Sequence, residues 1–309
     1  MTKGEGQHPA VERVLRAPDA ADLHRMLVDL PGADLTSLLT SVMAERTAKL
    51  GATDVLRRHG SDRFTQPSAV PAAQLRQAED LFVQATGWEW LVLAPLVPAG
   101  TFTAMGDLDP KRVVPTIRGS EVAADPTNTL ALEAAFRRQR VLPRERLTLR
   151  LAAIQRVTRA QRFEDADAFA HFTLAGFVTA ARGTQGRTFE EEGLREHVGV
   201  HVRALQAAGA DAIEIALTDL TGSEDTNLQA LCASFEDMDG DVSASADPQR
   251  AGGRSYYRSV CFKVHATFGS TRIELADGGD TDWTARLLSD RKERCFISGA
   301  GLDRLALAL

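Results

Sequence analysis

Two glycines, an aspartate and an arginine stand together in the last residues, "CFISGAGLDRLALAL": Gly299, Gly301, Asp303 and Arg304. Glycines two apart on a strand leave one of its faces bare, so a flat ligand can reach the backbone. Arg304 then falls at the start of a helix, where a planar, permanently charged guanidinium suits a phosphate chain. A second arginine, Arg159, sits in "IQRVTRAQ"; a polar loop follows and then "AFAHF", where Phe169 and Phe172 offer rings on which a base could stack. Two separated arginines, a stacking ring and a bared strand on an antiparallel sheet would make an ATP site without a P-loop.

Other patterns carry less. No GxxxxGK[ST] is present, and no GxGxxG stands between a strand and a helix. His197 and His201 in "HVGVHV" share a helix face, as a metal pair would, but no Glu completes an HExxH arrangement, and a satisfied or solvent-facing pair is the plainer reading. The acidic "EDMDGD" resembles a calcium loop only loosely and reads as a solvated loop. There is no catalytic Ser or Cys signature. Cys232, Cys261 and Cys295 lie far apart with no CxxC pair, which fits a reducing cytoplasm.

The elements that must position these residues follow from periodicity. "ADLHRMLVDL" and "ADLTSLLTSVMAERTAKL" place apolar residues at helical spacing, with Asp34 and Thr36 as caps of the second helix. The stretch "TQPSAVPAA" marks a boundary, so residues 1–68 read as an N-terminal helical extension and 69–309 as the core. In the core, "PAAQLRQAEDLFVQATG" is a helix and "WEWLVLAPLVP" a strand ended, or put at an edge, by its prolines. Trp88 and Trp90 share one face of that strand, which suits a dimer interface or the core. "LTLRLAAIQRVTRA" and "AFAHFTLAGFVTAA" are strands around a polar turn; "FEEEGLREHVGVHVRALQAAG" is a helix and "DAIEIALTDL" the strand after it. "YYRSVCFKVHAT" and "STRIELADG" are two more strands, with Tyr256 and Tyr257 on alternate faces of the first; "DMDGDVSASADPQRAGG" is a loop, and Asp277 and Asp282 flank a Gly-Gly turn. Consecutive strands with grouped helices predict an α+β fold on a largely antiparallel sheet.

At 309 residues the chain can bury a large core, and its net charge of −6 supplies no general basic field for nucleic acid. No run approaches the 18 apolar residues of a membrane span, and the N-terminus has no apolar leader, so a soluble cytoplasmic protein is expected.

In sum these segments resemble the class II aminoacyl-tRNA synthetase core, and within it the histidyl-tRNA synthetase-like branch. "GAGLDRLAL" is similar to motif 3, with Asp303 where that motif has Glu. "IQRVTRAQ" with "AFAHFTLAGF" is similar to motif 2, an Arg-x-Glu followed by a loop and a Phe. "AEDLFVQATGWEWLVLAP" resembles motif 1, used for dimerisation. "SYYRSVCFKV" with "ELADGGDTDW" resembles the branch's Tyr-Tyr strand and its Gly-Gly turn, and "ADPTNTLALEAA" the Arg-Pro-Asp/Glu-x-Thr segment. Together they span residues 74 to 309 in the family's order.

The resemblance implies roles. Arg159 would hold the α-phosphate of ATP, Phe169 would cover adenine, and Arg304 would hold the terminal phosphate, with Gln161, Gly299, Gly301 and Asp303 completing the nucleotide site and Mg²⁺ sharing the charge. Asp125, Thr127, Thr129, His171, Arg254, Tyr256, Tyr257 and Asp282 would line the acid's site. Departures are specific: Gln161 replaces the motif 2 Glu; Asp125 and Thr127 replace the segment's Arg and acidic residue; Gly252 stands where histidyl enzymes use an arginine, with Arg250 and Arg254 nearby. His171 and Ala175 replace the Gln and Glu that read histidine, and Thr281 a Tyr. The nucleotide signature is better kept than the amino-acid one. Nothing after motif 3 leaves room for an anticodon-binding domain, so ordinary tRNA charging is not expected.

Two functions are then expected alternatives. One is a stand-alone ligase, a homodimer, that activates a small amino or carboxylic acid as an acyl-adenylate and passes it to an amine or a carrier-protein thiol. The other is an inactive regulatory or partner subunit, as in ATP phosphoribosyltransferase. The N-terminal helices could cap the site, enlarge a dimer interface or dock a partner.

Overall fold

A computed structural model describes residues 9–17, 19–106, 108–141, 147–160, 169–183, 186–222, 228–236 and 238–309. The chain divides into two compact units. The first, drawn from Met1–Ser61 with Thr116–Gly119, carries α1 (Pro9–Leu15), α2 (Ala20–Asp29), α3 (Gly32–Thr47) and α4 (Ala52–Ser61), and none of their residues is buried. Asp34 and Thr36 do not cap α3 but lie inside it, because the helix starts earlier, at Gly32 after Pro31.

The second unit comprises Asp62–Pro115 and Ser120–Leu309. Its elements are α5 (Ala72–Gln84), β1 (Glu89–Trp90), β2 (Leu96–Pro98), α6 (Thr101–Gly106), β3 (Ser120–Val122), α7 (Pro126–Arg138), β4 (Leu149–Thr158), β5 (His171–Arg182), α8 (Thr188–Ala207), β6 (Ala212–Asp219), α9 (Leu228–Glu236), β7 (Val242–Ala246), β8 (Val260–Phe268), β9 (Thr271–Thr281), α10 (Trp283–Leu288), β10 (Glu293–Gly301) and α11 (Leu302–Ala308). An eight-stranded sheet runs β1-β4-β5-β10-β9-β8-β6-β7. From β4 to β6 every pairing is antiparallel, and the outermost strands β1 and β7 pair in parallel. This is the α+β arrangement that the strand and helix patterns predict.

Alternation sorts the side chains onto two faces. On one, Phe177, Phe262, Phe296 and Ala300 pack with the buried stripe Leu194, Val198, Val202 and Leu205 of α8. On the other, Val178, Cys295 and Ile297 lie under α7, whose Leu130, Ala131 and Ala134 are fully buried. A cap and a proline start α7 at a fixed place: Asp125 accepts a hydrogen bond from the Thr127 N–H at 2.9 Å, and Pro126 occupies the first turn. A methyl group on Gly176 would lie 2.7 Å from Pro126, so that glycine admits the helix start onto β5.

Three expectations are corrected here. "WEWLVLAPLVP" is not one strand: it breaks into β1 and β2, which belong to different sheets, β2 pairing with β3. Part of the expected loop "DMDGDVSASADPQRAGG" is the edge strand β7, paired with β6. Gly278 and Gly279 are not a turn but lie inside β9, because ring and chain atoms of Phe262, Tyr257 and Val260 take the space a side chain would need.

His197 and His201 are interior residues, His197 bonded at both ring nitrogens and His201 at Nε2 only, its buried Nδ1 meeting no partner among the described residues. Both are buried with no exposure; His197 Nδ1 and His201 Nε2 meet Ser298 Oγ at 2.7 and 2.9 Å, and His197 Nε2 meets Thr179 Oγ1 at 3.1 Å. Burial pushes His201 down to about 3 and His197 well below its ordinary value, so both rings are neutral.

Candidate functional site

The site lies where α7 stops covering its face of the sheet. Gly299 of β10 is opposite Gly176 of β5 on one side and Asp277 of β9 on the other. A methyl on Gly299 would meet nothing closer than Ala175 O at 3.6 Å and Thr127 Cγ2 at 4.0 Å; one on Gly301 would meet only Arg304 Cδ at 4.0 Å. Packing therefore does not require glycine at either position. The two leave a bare strip of strand, which is the room a nucleotide laid on the backbone would need.

Cations flank this strip. On the α7 side Thr127, 4.0 Å from where a methyl on Gly299 would stand, is tied through its hydroxyl to Asp125 at 2.7 Å, and Asp125 accepts from Arg159 at 2.9 Å. Arg159 also donates to Ala124 O and stacks 5.2 Å from the centre of the Phe172 ring. On the β9 side Arg304 is exposed and donates to Glu274 O at 3.0 Å. Glu274 in turn pairs with Lys263 at 2.7 Å, directly across from Asp277.

Asp277, half-buried, is the centre of a polar group that includes the buried Arg250. It accepts from Arg250 and from the Tyr257 hydroxyl. Arg250, 4% exposed, also donates to Gly252 O at 2.9 Å, Phe262 O at 3.0 Å and Gly253 O at 3.3 Å, and lies 5.5 Å from the Tyr257 ring centre. Burial raises the Asp277 carboxyl, with Arg250 and Tyr257 acting against it. Burial, together with the Asp277 charge, pushes Tyr256 up to about 12 and Tyr257 well above its usual value, so both phenols remain proton donors. Tyr256 and Tyr257 precede β8 instead of alternating along it, and their ring centres are 4.4 Å apart.

The structure thus brings together Arg159, Asp125, Thr127, Gly299, Gly301, Arg304, Tyr256 and Tyr257. It does not bring the rest there. Phe169 packs against the cluster on the α8 side, and the ring that meets Arg159 is Phe172. His171 points to that same side, its Nδ1 accepting from Arg156 at 2.8 Å and its Nε2 meeting Gln66 O at 2.7 Å. Asp303 is buried beneath the strand, accepting from the Thr173 N–H at 2.6 Å with Arg156 3.5 Å away. Thr129 lines a cleft of about 630 Å³ beside Leu91–Ala94, and another cleft of about 610 Å³ runs along α5, both away from the strip. Asp282 sits five residues beyond Asp277, about 17 Å along an extended chain, paired with Arg258 at 2.5 Å. Arg254 donates to Arg250 O at 3.2 Å and so acts through that segment. Gln161 lies outside the described residues.

The sequence offers Arg250 only as a possible substitute for the arginine missing at Gly252; it leaves Lys263 and Glu274 out of the site and gives Asp277 only a turn. The signal for the last two pairs is the cross-strand register, in which Lys263 faces Asp277 and Glu274 is nearby; it becomes readable once β8 and β9 are aligned. Among the described residues no group of three His, Cys, Asp or Glu side chains could hold a metal ion, and no helix is long and apolar enough to cross a membrane.

No family model and no curated protein matches the sequence. Solved structures match by fold. An ATP phosphoribosyltransferase regulatory subunit/histidyl-tRNA synthetase from Bacillus halodurans C is 16% identical, over 79% of this chain and 81% of that one, with a TM-score of 0.56. The apo histidyl-tRNA synthetase of S. aureus is 14% identical over 80% of this chain and 69% of its own, with a TM-score of 0.58. A histidine–tRNA ligase subunit from Alicyclobacillus acidocaldarius subsp. acidocaldarius DSM 446 is 14% identical over 79% and 95%, also at 0.58. At such identities the likeness establishes architecture alone, and the architecture is the one the motifs imply: the chain has the class II aminoacyl-tRNA synthetase-like fold.

Proposed function

We propose that this chain is a stand-alone ATP-dependent ligase that activates a small amino or carboxylic acid as its acyl-adenylate and passes it to an acceptor other than tRNA. The observation that carries this reading is the bare strip at Gly299 and Gly301, a strip that packing leaves unfilled, with Arg159 and Arg304 to its two sides. ATP laid on it would supply the phosphorus that is attacked. A carboxylate oxygen of the acid forms a bond to the α-phosphorus; the bond from that phosphorus to the β-bridging oxygen breaks, and the electron pair leaves with pyrophosphate. The acceptor, an amine or a carrier-protein thiol, then takes the acyl group and releases AMP.

Such a reaction needs position and charge more than a protein nucleophile. Arg159, steadied by its stack on Phe172 and its bond to Ala124 O, would orient the α-phosphate, and exposed Arg304 the terminal one. Mg²⁺ would be held largely by the phosphate oxygens themselves, the ordinary manner for that ion. The likeness to motif 1, with Val92 and Phe136 exposed beside the cleft at Leu91–Ala94, supports a homodimer.

A regulatory or partner subunit without catalysis is the second reading. The Arg159–Asp125 pair favours it, since the arginine that would receive a phosphate is already met by a carboxylate. ATP–pyrophosphate exchange separates the two. Exchange that depends on an added acid and falls at least a hundredfold in Arg304→Ala supports the ligase; no exchange across a broad panel of acids supports the regulatory subunit.

A further inference from the structure

After α4 the chain runs to α5 through a short segment tied down along its length. Asp62 opens it with a turn, its side chain accepting from the Phe64 N–H at 3.0 Å and its carbonyl from the Thr65 N–H at 3.0 Å. Pro67 fixes the backbone in the middle, and buried Val70 with Pro71 closes it at the start of α5. Between these ends the segment meets β5 and α11. Gln66 O lies 2.7 Å from His171 Nε2; Ser68 Oγ donates to Asp303 Oδ1 at 3.4 Å and accepts from the Val70 N–H at 3.2 Å.

Arg156 of β4 sets both anchors. Its Nε donates to His171 Nδ1 at 2.8 Å, and a guanidinium gives up no proton, so the ring proton stands on Nε2 and is donated to Gln66 O. Its Nη1 donates to Thr173 Oγ1 at 3.1 Å, and its Nη2 donates to His171 O at 3.3 Å and lies 3.5 Å from Asp303 Oδ1. Asp303 Oδ2 accepts from the Thr173 N–H at 2.6 Å. Each anchor also stands one residue from a side chain of the proposed phosphate site. His171 precedes Phe172, whose ring, on the opposite face of β5, stacks on Arg159. Buried Asp303 precedes exposed Arg304 in the first turn of α11.

We propose that Gln66–Ser68 is a strap coupled to the nucleotide site. Seated, it holds the starts of β5 and α11, and with them Phe172, Arg159 and Arg304; released, it leaves those side chains loose and the affinity for a polyphosphate falls. His171, Arg156 and Asp303 are positioning residues, lying on the side of the sheet away from the strip. The inference rests on the nucleotide reading of the strip and goes beyond it in naming a regulation of that site. Because the strap follows α4 in the chain, it is also the covalent path by which a molecule engaging α1–α4 would act on the site.

Such coupling is reciprocal: the factor by which release of the strap weakens ATP is the factor by which ATP suppresses release. The test is hydrogen exchange of the full chain, read on the peptide of residues 62–72 with α8 as internal control, beside calorimetric titration of ATP. Wild type, Ser68→Ala and His171→Ala are compared; Ser68→Ala leaves Arg156 and His171 in place and serves alone if His171→Ala does not fold. Saturating ATP should slow exchange of the strap peptide in the wild type by about fivefold or more and leave α8 unchanged, and a variant that exchanges this peptide faster should bind ATP more weakly by about the same factor. Exchange that bound ATP does not slow, a strap that stays protected in the variants, or variants that release it and bind ATP like the wild type each overturn the strap and leave the nucleotide reading standing. No ATP binding by the wild type overturns both.

Discussion

Arg159 donates to Asp125 at 2.9 Å, so the cation proposed to meet a nucleotide phosphate is held by the carboxylate that caps α7. Both side chains are partly exposed, and an ion pair of that kind is worth at most about 1 kcal/mol, near fivefold in a binding constant. Asp125→Asn keeps a capping side chain but removes the charge. ATP alone should bind this variant about fivefold more tightly by calorimetry, because Arg159 is released from the carboxylate. Unchanged or weaker binding would refute that role of the pair.

The glycines of β9 and β10 should respond in opposite ways. A methyl on Gly278 would lie 2.5 Å from the Phe262 ring and 2.6 Å from Ser298 Cβ, and overpacking of this sort costs about 1–3 kcal/mol. Gly299→Ala adds only ordinary contacts and should leave stability unchanged or raise it by up to about 1 kcal/mol, the usual gain on replacing glycine in a strand. Urea unfolding of the two variants beside the wild type checks both.

Asp303 and Arg304 are neighbours with separate duties. Asp303→Ala leaves the buried Thr173 N–H without its acceptor, a loss of about 1–3 kcal/mol. It should also raise hydrogen exchange at α11. Arg304→Ala, changing an exposed side chain, should leave the melting temperature where it is and weaken only ATP binding.

Acid stability should fall on the buried histidines. Burial holds His201 at about 3 and lowers His197 well below its ordinary 6.5, so the unfolded chain binds more protons than the folded one below about pH 6.5. Their contribution is complete above that pH and is lost as the pH falls toward 3. Each contributes a slope of about 1.4 kcal/mol per pH unit. His201→Gln should reduce the fall in unfolding free energy between pH 6 and 4.5 by about 2 kcal/mol, that slope taken over the interval; an unchanged pH dependence would contradict it.

What could be read from the sequence was whatever a repeating pattern marks. The hairpin β4–β5, the helix α8 and the strand β6 follow from periods of 2 and 3.6, and the glycines before Arg304 were legible because their spacing matches the pleat. β7 was missed because an edge strand of small polar residues, "VSASA", buries little and so shows no apolar alternation. The Gly278–Gly279 pair looked like a turn because local sequence does not show the Phe262 and Tyr257 rings that claim its space.

The candidate site was only half legible. Arg159, Gly299, Gly301 and Arg304 are fixed by local motif, whereas the pairing of Arg159 with Asp125 spans 34 residues and that of Arg250 with Asp277 spans 27. Long-range partners of that kind are set by register and packing. For the same reason Phe169 and Phe172, three residues apart, could not be told apart until β5 was placed: Phe172 lies in the strand and meets Arg159, whereas Phe169 precedes it and packs against the cluster on the α8 side.

The central claim is that a nucleotide lies on the strip bared by Gly299 and Gly301. Calorimetric titration of ATP into the wild type and into the double variant Gly299→Ala/Gly301→Ala tests it most directly, since both methyls fit the fold and both would stand where the nucleotide lies. The account predicts one ATP bound per chain in the wild type and at least tenfold weaker binding in a variant that melts at the same temperature. A wild type that binds no ATP, or a variant that binds it equally well, would contradict the account.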